Sequence, residues 1–311
     1  MNTPAEHSAS LTPLFVAGCG RSGTTMLADI LGRRLRAVVP PEAQFLAAAL
    51  TADLDAASFL RLLSSDRRFA LWGVDPSSIL TSHDDSVSSV MERLVLAYAR
   101  REAECETFNR WIDHTPSNIH HFSKILDAFP NGKIIHLVRD PRAVVASVLP
   151  LDWGPSHPKA AARWWMQRTA AGLAAESMYP TRVVRVRYED LVLNPEETLY
   201  SCLNCLGVES SESGSDSDGF DVPQFTQAQH ALVGHSPDES RVNAWRKTLT
   251  GAEQTLIKQE VGDTAAAFGY DVSSSCRVSA RARASLATRS LVRVGTKRVR
   301  YRWRRFVYEG R

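Results

Sequence analysis

Cysteine is scarce and scattered in this 311-residue chain. Cys19, Cys105, Cys202, Cys205 and Cys276 are too few, odd in number and too far apart for a disulfide framework. That excludes a small stapled extracellular domain and fits a reducing compartment. Long apolar runs are missing too: the richest stretch, Phe45–Leu63, is interrupted by Asp53, Asp55 and Arg61, so no membrane span is expected. The opening residues MNTPAEHSAS carry neither a basic nor an apolar region of a signal peptide. The expectation is a cytoplasmic protein, at most peripheral at the inner membrane surface. Metal-ligand spacing is also lacking. Cys202 and Cys205 make a C-x-x-C on a helical pattern with no second pair, which reads as core packing, and no metal is expected.

Acidic residues are nearly absent from one place. Residues 277–311 hold 12 Lys and Arg against one acid, Glu309, so a whole-chain charge of +3 leaves the other 276 residues at −8. The reading is a domain over residues 1–275 followed by a basic helical tail, 276–311. Within the tail Val292, Val299, Trp303 and Phe306 fall on one helical stripe flanked by arginines. Such a helix suits an anionic membrane or a polyanionic acceptor, and equally the acidic body of its own chain. Nucleic acid is not expected, because no recognition motif accompanies the charge. The Ser-rich acidic run Glu209–Gly219 reads as a mobile surface loop.

Apolar runs at Leu14–Ala17, Trp111–Ile112, Ile134–Val138 and Val183–Val186 read as buried strands. Helical patterns separate or follow them at Ser117–Phe129, Arg142–Leu149, Lys159–Tyr179, Glu196–Leu206 and Leu249–Phe268, the last stopped by Gly269. Alternation of this kind predicts a P-loop-type three-layer α/β fold, a central parallel sheet with helices on both faces.

The first strand runs into Gly18-Cys-Gly-Arg-Ser-Gly-Thr-Thr25 and then a helical pattern. The spacing is that of G-x-x-x-x-G-K-[ST] with its lysine missing, because Thr24 stands there. A turn of this kind aims main-chain N–H groups at the helix N-terminus and so favours an anion. Without the lysine it loses the charge that steadies a Mg-triphosphate, and Arg21 supplies a planar cation instead. A second motif, Lys133-Ile-Ile-His-Leu-Val-Arg-Asp-Pro-Arg, ends a strand in Arg139 and opens a helix with Asp140 as N-cap and Pro141 at its first position. Ser147, about two helical turns on, is placed to meet Arg139 on one phosphate. Arg142 reads equally as an exposed first-turn cation.

At these residues the chain resembles the sulfotransferases that use 3′-phosphoadenosine-5′-phosphosulfate (PAPS), over about Leu14 to Asp271. The resemblance implies that Arg21, Ser22, Gly23, Thr24 and Thr25 hold the 5′-phosphosulfate, and that Arg139 and Ser147 grip the 3′-phosphate. It places Tyr188, in Val186-Arg-Tyr-Glu-Asp-Leu-Val192, against the nucleotide. It also makes Ser240-Arg-Val-Asn-Ala-Trp-Arg-Lys247 a closing loop, with Trp245, Arg246 and Lys247 as candidates there and Trp245 equally a core residue.

For the base that takes the acceptor's proton, the resemblance offers Glu42, in Val38-Val-Pro-Pro-Glu42, and His114, in Asp113-His-Thr-Pro116. His114 stands where the family often has a lysine that helps the leaving oxygen, and its part as acid or base stays open. The implied activity is sulfuryl transfer from PAPS to a hydroxyl of a carbohydrate, glycolipid or natural product. The alternatives are a P-loop kinase-like phosphotransferase and a non-catalytic anion-binding scaffold.

Overall fold

A computed structural model describes residues 11–102, 108–209, 238–272 and 278–309, with side chains to residue 300. Cys105, Cys276 and the Ser-rich run from residue 210 onward lie outside the described residues. Four parallel strands, β1 (Thr12–Gly18), β2 (Arg110–Asp113), β3 (Lys133–Val138) and β4 (Val183–Arg187), form one sheet in the order β2-β1-β3-β4. Each predicted strand is present, extended by one to three residues.

Side-chain alternation along β1 sorts the packing. Leu14 and Val16 point to one face, with Ile135 and Leu137 of β3, beneath α1 (Thr24–Leu35), α8 (Tyr188–Leu193) and α9 (Pro195–Cys205). Phe15 and Ala17 point to the other. There they meet α2 (Gln44–Thr51), α3 (Ala56–Ser65), α4 (Val87–Glu102), α5 (Phe122–Ala128) and α7 (Pro158–Met178). With both faces covered, β1 carries apolar residues in both registers, which is why it reads as a continuous run. A third cluster joins α6 (Pro141–Val148) and α7 to α10 (Trp245–Thr248) and α11 (Gly251–Ala267).

α11 ends as expected at Gly269, with φ +75. Gly269 N–H donates to the Ala266 carbonyl at 2.9 Å and Tyr270 N–H to that of Ala265 at 3.0 Å, a complete Schellman cap. The segment after β2 differs from a single helix. Pro116–His121 is a 3₁₀ turn before α5, because buried Asp113 accepts from Thr115 N, Thr115 Oγ1 and Asn118 Nδ2 and tightens the turn. Cys202 is buried on α9, its thiol pushed up to about 12 chiefly by desolvation, while Cys205 is exposed.

Residues 280–309 form one helix, α12 (Ala280–Glu309). Among the described residues no helix is long and apolar enough to cross a membrane.

Candidate functional site at the carboxyl ends of β1 and β3

Chain order reverses at β1: β2 lies on one side of it and β3 on the other. Open α/β sheets place ligands outside the carboxyl ends of the strands at such a point. The two loops singled out by sequence, after β1 and after β3, are therefore neighbours.

The glycine-rich loop is shaped by what surrounds it. A Cβ on Gly18 would sit 2.3 Å from the Leu137 carbonyl oxygen, so β1 and β3 close up only around glycine. Gly23 has φ +100, and a Cβ there would lie 2.8 Å from the Tyr188 ring. Ser22, Thr24 and Thr25 are buried at the head of α1, and the Ser22 hydroxyl oxygen has no hydrogen-bond partner. Arg21 itself takes a left-handed backbone, φ 69.

Arg21 and Arg139 converge here. Arg21 Nε donates to Ser147 Oγ at 3.1 Å. Arg139 donates through its two terminal nitrogens to the carbonyls of Arg21 and Arg241, each at 3.1 Å, and its guanidinium lies 3.9 Å from the centre of the Tyr188 ring. Its Nε is buried without a partner, and among the described residues it forms no ion pair. Burial pulls the Arg21 guanidinium below its ordinary value, the charge of Arg139 adds to this, and Glu42 opposes both. Glu42 is thus brought within electrostatic reach of Arg21. Ser147, read from the sequence as meeting Arg139 on one phosphate, accepts here from Arg21, so the two motifs form one connected site.

Glu42 is placed by the sheet margin. Val38 bridges Trp111 beside β2, its N–H donating to the Arg110 carbonyl at 3.1 Å and its carbonyl accepting from Ile112 N–H at 2.8 Å. Pro40 and Pro41 then stiffen the chain, and Gln44 Nε2 donates to the Glu42 carboxylate at 2.7 Å. His114, buried, follows the last residue of β2, one strand over from the glycine loop.

Other residues support the turn after β3. Arg142 is no exposed cation: it pairs with the N-cap Asp140 (Nη2 to Oδ2 2.7 Å) and stacks on Trp245 at 4.0 Å. Trp245 is buried in the core, and Arg246 and Lys247 are exposed. Sequence reasoning missed Glu189. Its buried carboxylate accepts from Asp140 N–H at 3.0 Å and from the Tyr270 hydroxyl at 2.7 Å. Burial pushes Glu189 up, partly offset by these bonds, and burial also pushes Tyr270 up. Trp165 Nε1 donates to the Arg139 carbonyl at 2.9 Å. Glu189 follows directly on Tyr188 in the quoted motif, yet nothing local signals that it is buried.

A family model described as the sulfotransferase family matches residues 13–212. A Caenorhabditis briggsae protein described as a protein-tyrosine sulfotransferase is 25% identical over 280 residues, 84% of this chain and 90% of that one. An omega-hydroxy-beta-dihydromenaquinone-9 sulfotransferase of Mycobacterium tuberculosis is 27% identical over 175 residues, half of this chain and 40% of its own length. Among solved structures, the sulfotransferase domain of the Synechococcus PCC 7002 olefin synthase superposes with a TM-score of 0.56 at 23% identity. It covers 87% of this chain and 99% of that domain.

Proposed function

Because the chain belongs to the sulfotransferase family, we propose that it transfers a sulfuryl group from PAPS to a hydroxyl of a small-molecule, saccharide or glycolipid acceptor. The convergence of Arg21 and Arg139 carries this reading. Two guanidiniums share a partly buried space, Arg21 donating to the Ser147 hydroxyl and Arg139 to two main-chain carbonyls. An anionic ligand suits that arrangement. The buried Ser22 hydroxyl and the Arg139 Nε supply further unsatisfied polar atoms. A lipid acceptor is among the candidates because one relative is described as acting on a dihydromenaquinone derivative.

PAPS, when bound, supplies an already activated sulfuryl group. The head of α1 and Arg21 would hold its 5′ end, and Arg139 with Ser147 its 3′-phosphate, with Tyr188 against the nucleotide. In the transfer, the acceptor oxygen bonds to sulfur as the bridging sulfur–oxygen bond to phosphate breaks. The electron pair of that bond leaves with the phosphate, where Arg21 stabilises it. The acceptor proton passes to a base, for which Glu42 has the better support: its carboxylate acts on Arg21 electrostatically. His114 is the second candidate.

The reading is tested with 3′-phosphoadenosine-5′-phosphate (PAP), the desulfated donor. It should raise the melting temperature more than ADP or ATP does. Glu42→Gln should lower turnover on the order of a hundredfold with the PAP shift intact. Equal shifts for the three nucleotides would refute donor recognition. Full turnover in both Glu42→Gln and His114→Ala would refute the base assignments.

A further inference from the structure

Helix α12 docks with Leu286, 4% exposed, and a row of cations turned toward the body. Toward the body it turns cations: Arg293 Nη2 reaches Glu253 Oε1 at 3.2 Å, and Lys297, only 8% exposed, donates to the carbonyls of Gly154 at 2.6 Å and Pro155 at 3.1 Å. Arg300 lies 3.7 Å from Asp152. Away from the body it turns Leu291, Val292 and Val299, which are 73%, 58% and 67% exposed. An amphipathic helix seated on its own protein buries its apolar side. Here Leu291, Val292 and Val299 are left to the solvent, flanked by exposed Arg289 and Arg298.

The clamp made by Lys297 connects this face to the site. Gly154 follows Trp153, a 55% exposed tryptophan whose ring packs on Trp164 at 6.2 Å, and Trp164 in turn abuts Gly20 of the glycine-rich loop. Lys297 thereby ties α12 to the loop that carries Trp153, beside the glycine-rich loop.

We propose that the outer face of α12 docks on an anionic lipid bilayer. Residues 280–300 contain seven Lys and Arg and no Asp or Glu. A second copy of the same face would bring like charges together. A soluble polyanion would satisfy the arginines but leave Leu291, Val292 and Val299 in water. A bilayer with anionic headgroups takes both the charge and the apolar row. The proposal does not depend on the identity of the acceptor.

Co-sedimentation of the full chain tests it, using vesicles of phosphatidylcholine alone and of phosphatidylcholine mixed with phosphatidylglycerol. Binding should require phosphatidylglycerol and weaken with salt. The variant Leu291→Ser/Val292→Ser/Val299→Ser and the variant Arg289→Gln/Arg298→Gln should each lower vesicle binding about tenfold or more. All five positions are exposed, so circular dichroism and melting temperature should be unchanged. Equal binding to both vesicle types, or binding indifferent to both variants, would overturn the proposal. So would retention on immobilised heparin without vesicle binding, or a dimer that the triple-serine variant converts to monomer.

Discussion

Replacing Arg139 with glutamine separates its part in donor recognition from its part in holding the site together. The side chain makes two charge-assisted bonds to main-chain oxygens, at Arg21 and Arg241. Losing the charge and one of these bonds costs about 1–3 kcal/mol of local order, and that loss weakens any ligand of the site. A guanidinium gripping a 3′-phosphate through two parallel bonds adds about 3 kcal/mol, roughly two powers of ten in affinity. Comparing PAP with adenosine 5′-monophosphate, in the native and the Arg139→Gln protein, cancels the shared loss and leaves the coupling between residue and phosphate. Titration calorimetry should give PAP a loss exceeding that of adenosine monophosphate about a hundredfold. A coupling below about 0.5 kcal/mol, with both ligands weakened alike, would refute the assignment of Arg139 to the 3′-phosphate and leave it a structural brace.

Gly23→Ala should combine a left-handed backbone penalty with a Cβ only 2.8 Å from the Tyr188 ring. The expected cost is about 2–4 kcal/mol in chemical denaturation, with PAP affinity falling as Tyr188 is pushed from Arg139; native stability in this variant would refute the tight approach. Acid should probe the trio of buried His136, half-buried Glu176 and exposed Arg185. Burial pushes Glu176 up, but hydrogen bonds from His136 and Arg185 outweigh it and hold the carboxyl at about 2. Between the ordinary value of 4.5 and about 2 the unfolded chain binds more protons at this group than the folded one. Its stabilisation is therefore full above the upper value and lost as pH falls toward the lower. After allowing for its partial exposure, the loss is about 1–2 kcal/mol. Urea titrations across that window should show a drop in the native protein that Glu176→Gln lacks.

What the sequence disclosed, and what it hid, follows from distance along the chain. β1 was legible because a strand buried on both faces is apolar in both registers. The glycine loop was legible because Gly18 and Gly23 occupy positions that a Cβ would block. The link between Ser147 and Arg21 was not, since helical spacing sets the height of a side chain along α6 but not which loop it faces. Glu189 and Tyr270 meet across 81 residues, and no local pattern encodes such a pair. Tail composition announced an amphipathic helix. Which side would face the body depended on Glu253, Asp152 and two loop carbonyls far upstream.

Arg21 ties these strands of argument together. It is a non-glycine residue with φ 69 in a loop where glycine is the easy choice, and it lies half-buried beside a second guanidinium. Left-handed backbone costs about 1–2 kcal/mol, and desolvation together with the charge of Arg139 opposes the protonated form. Strain of this kind persists where the surrounding structure over-determines it. Here the over-determination is visible: Arg139 holds the Arg21 carbonyl, and Ser147 holds its Nε. A ligand that brings one anionic group to each guanidinium would offset their repulsion. A ligand that did so would stabilise the folded chain by more than its contact area implies. The melting shift produced by PAP is therefore a reading of the arginine pair itself, and Arg21→Gly should abolish most of that shift even though glycine suits the backbone better.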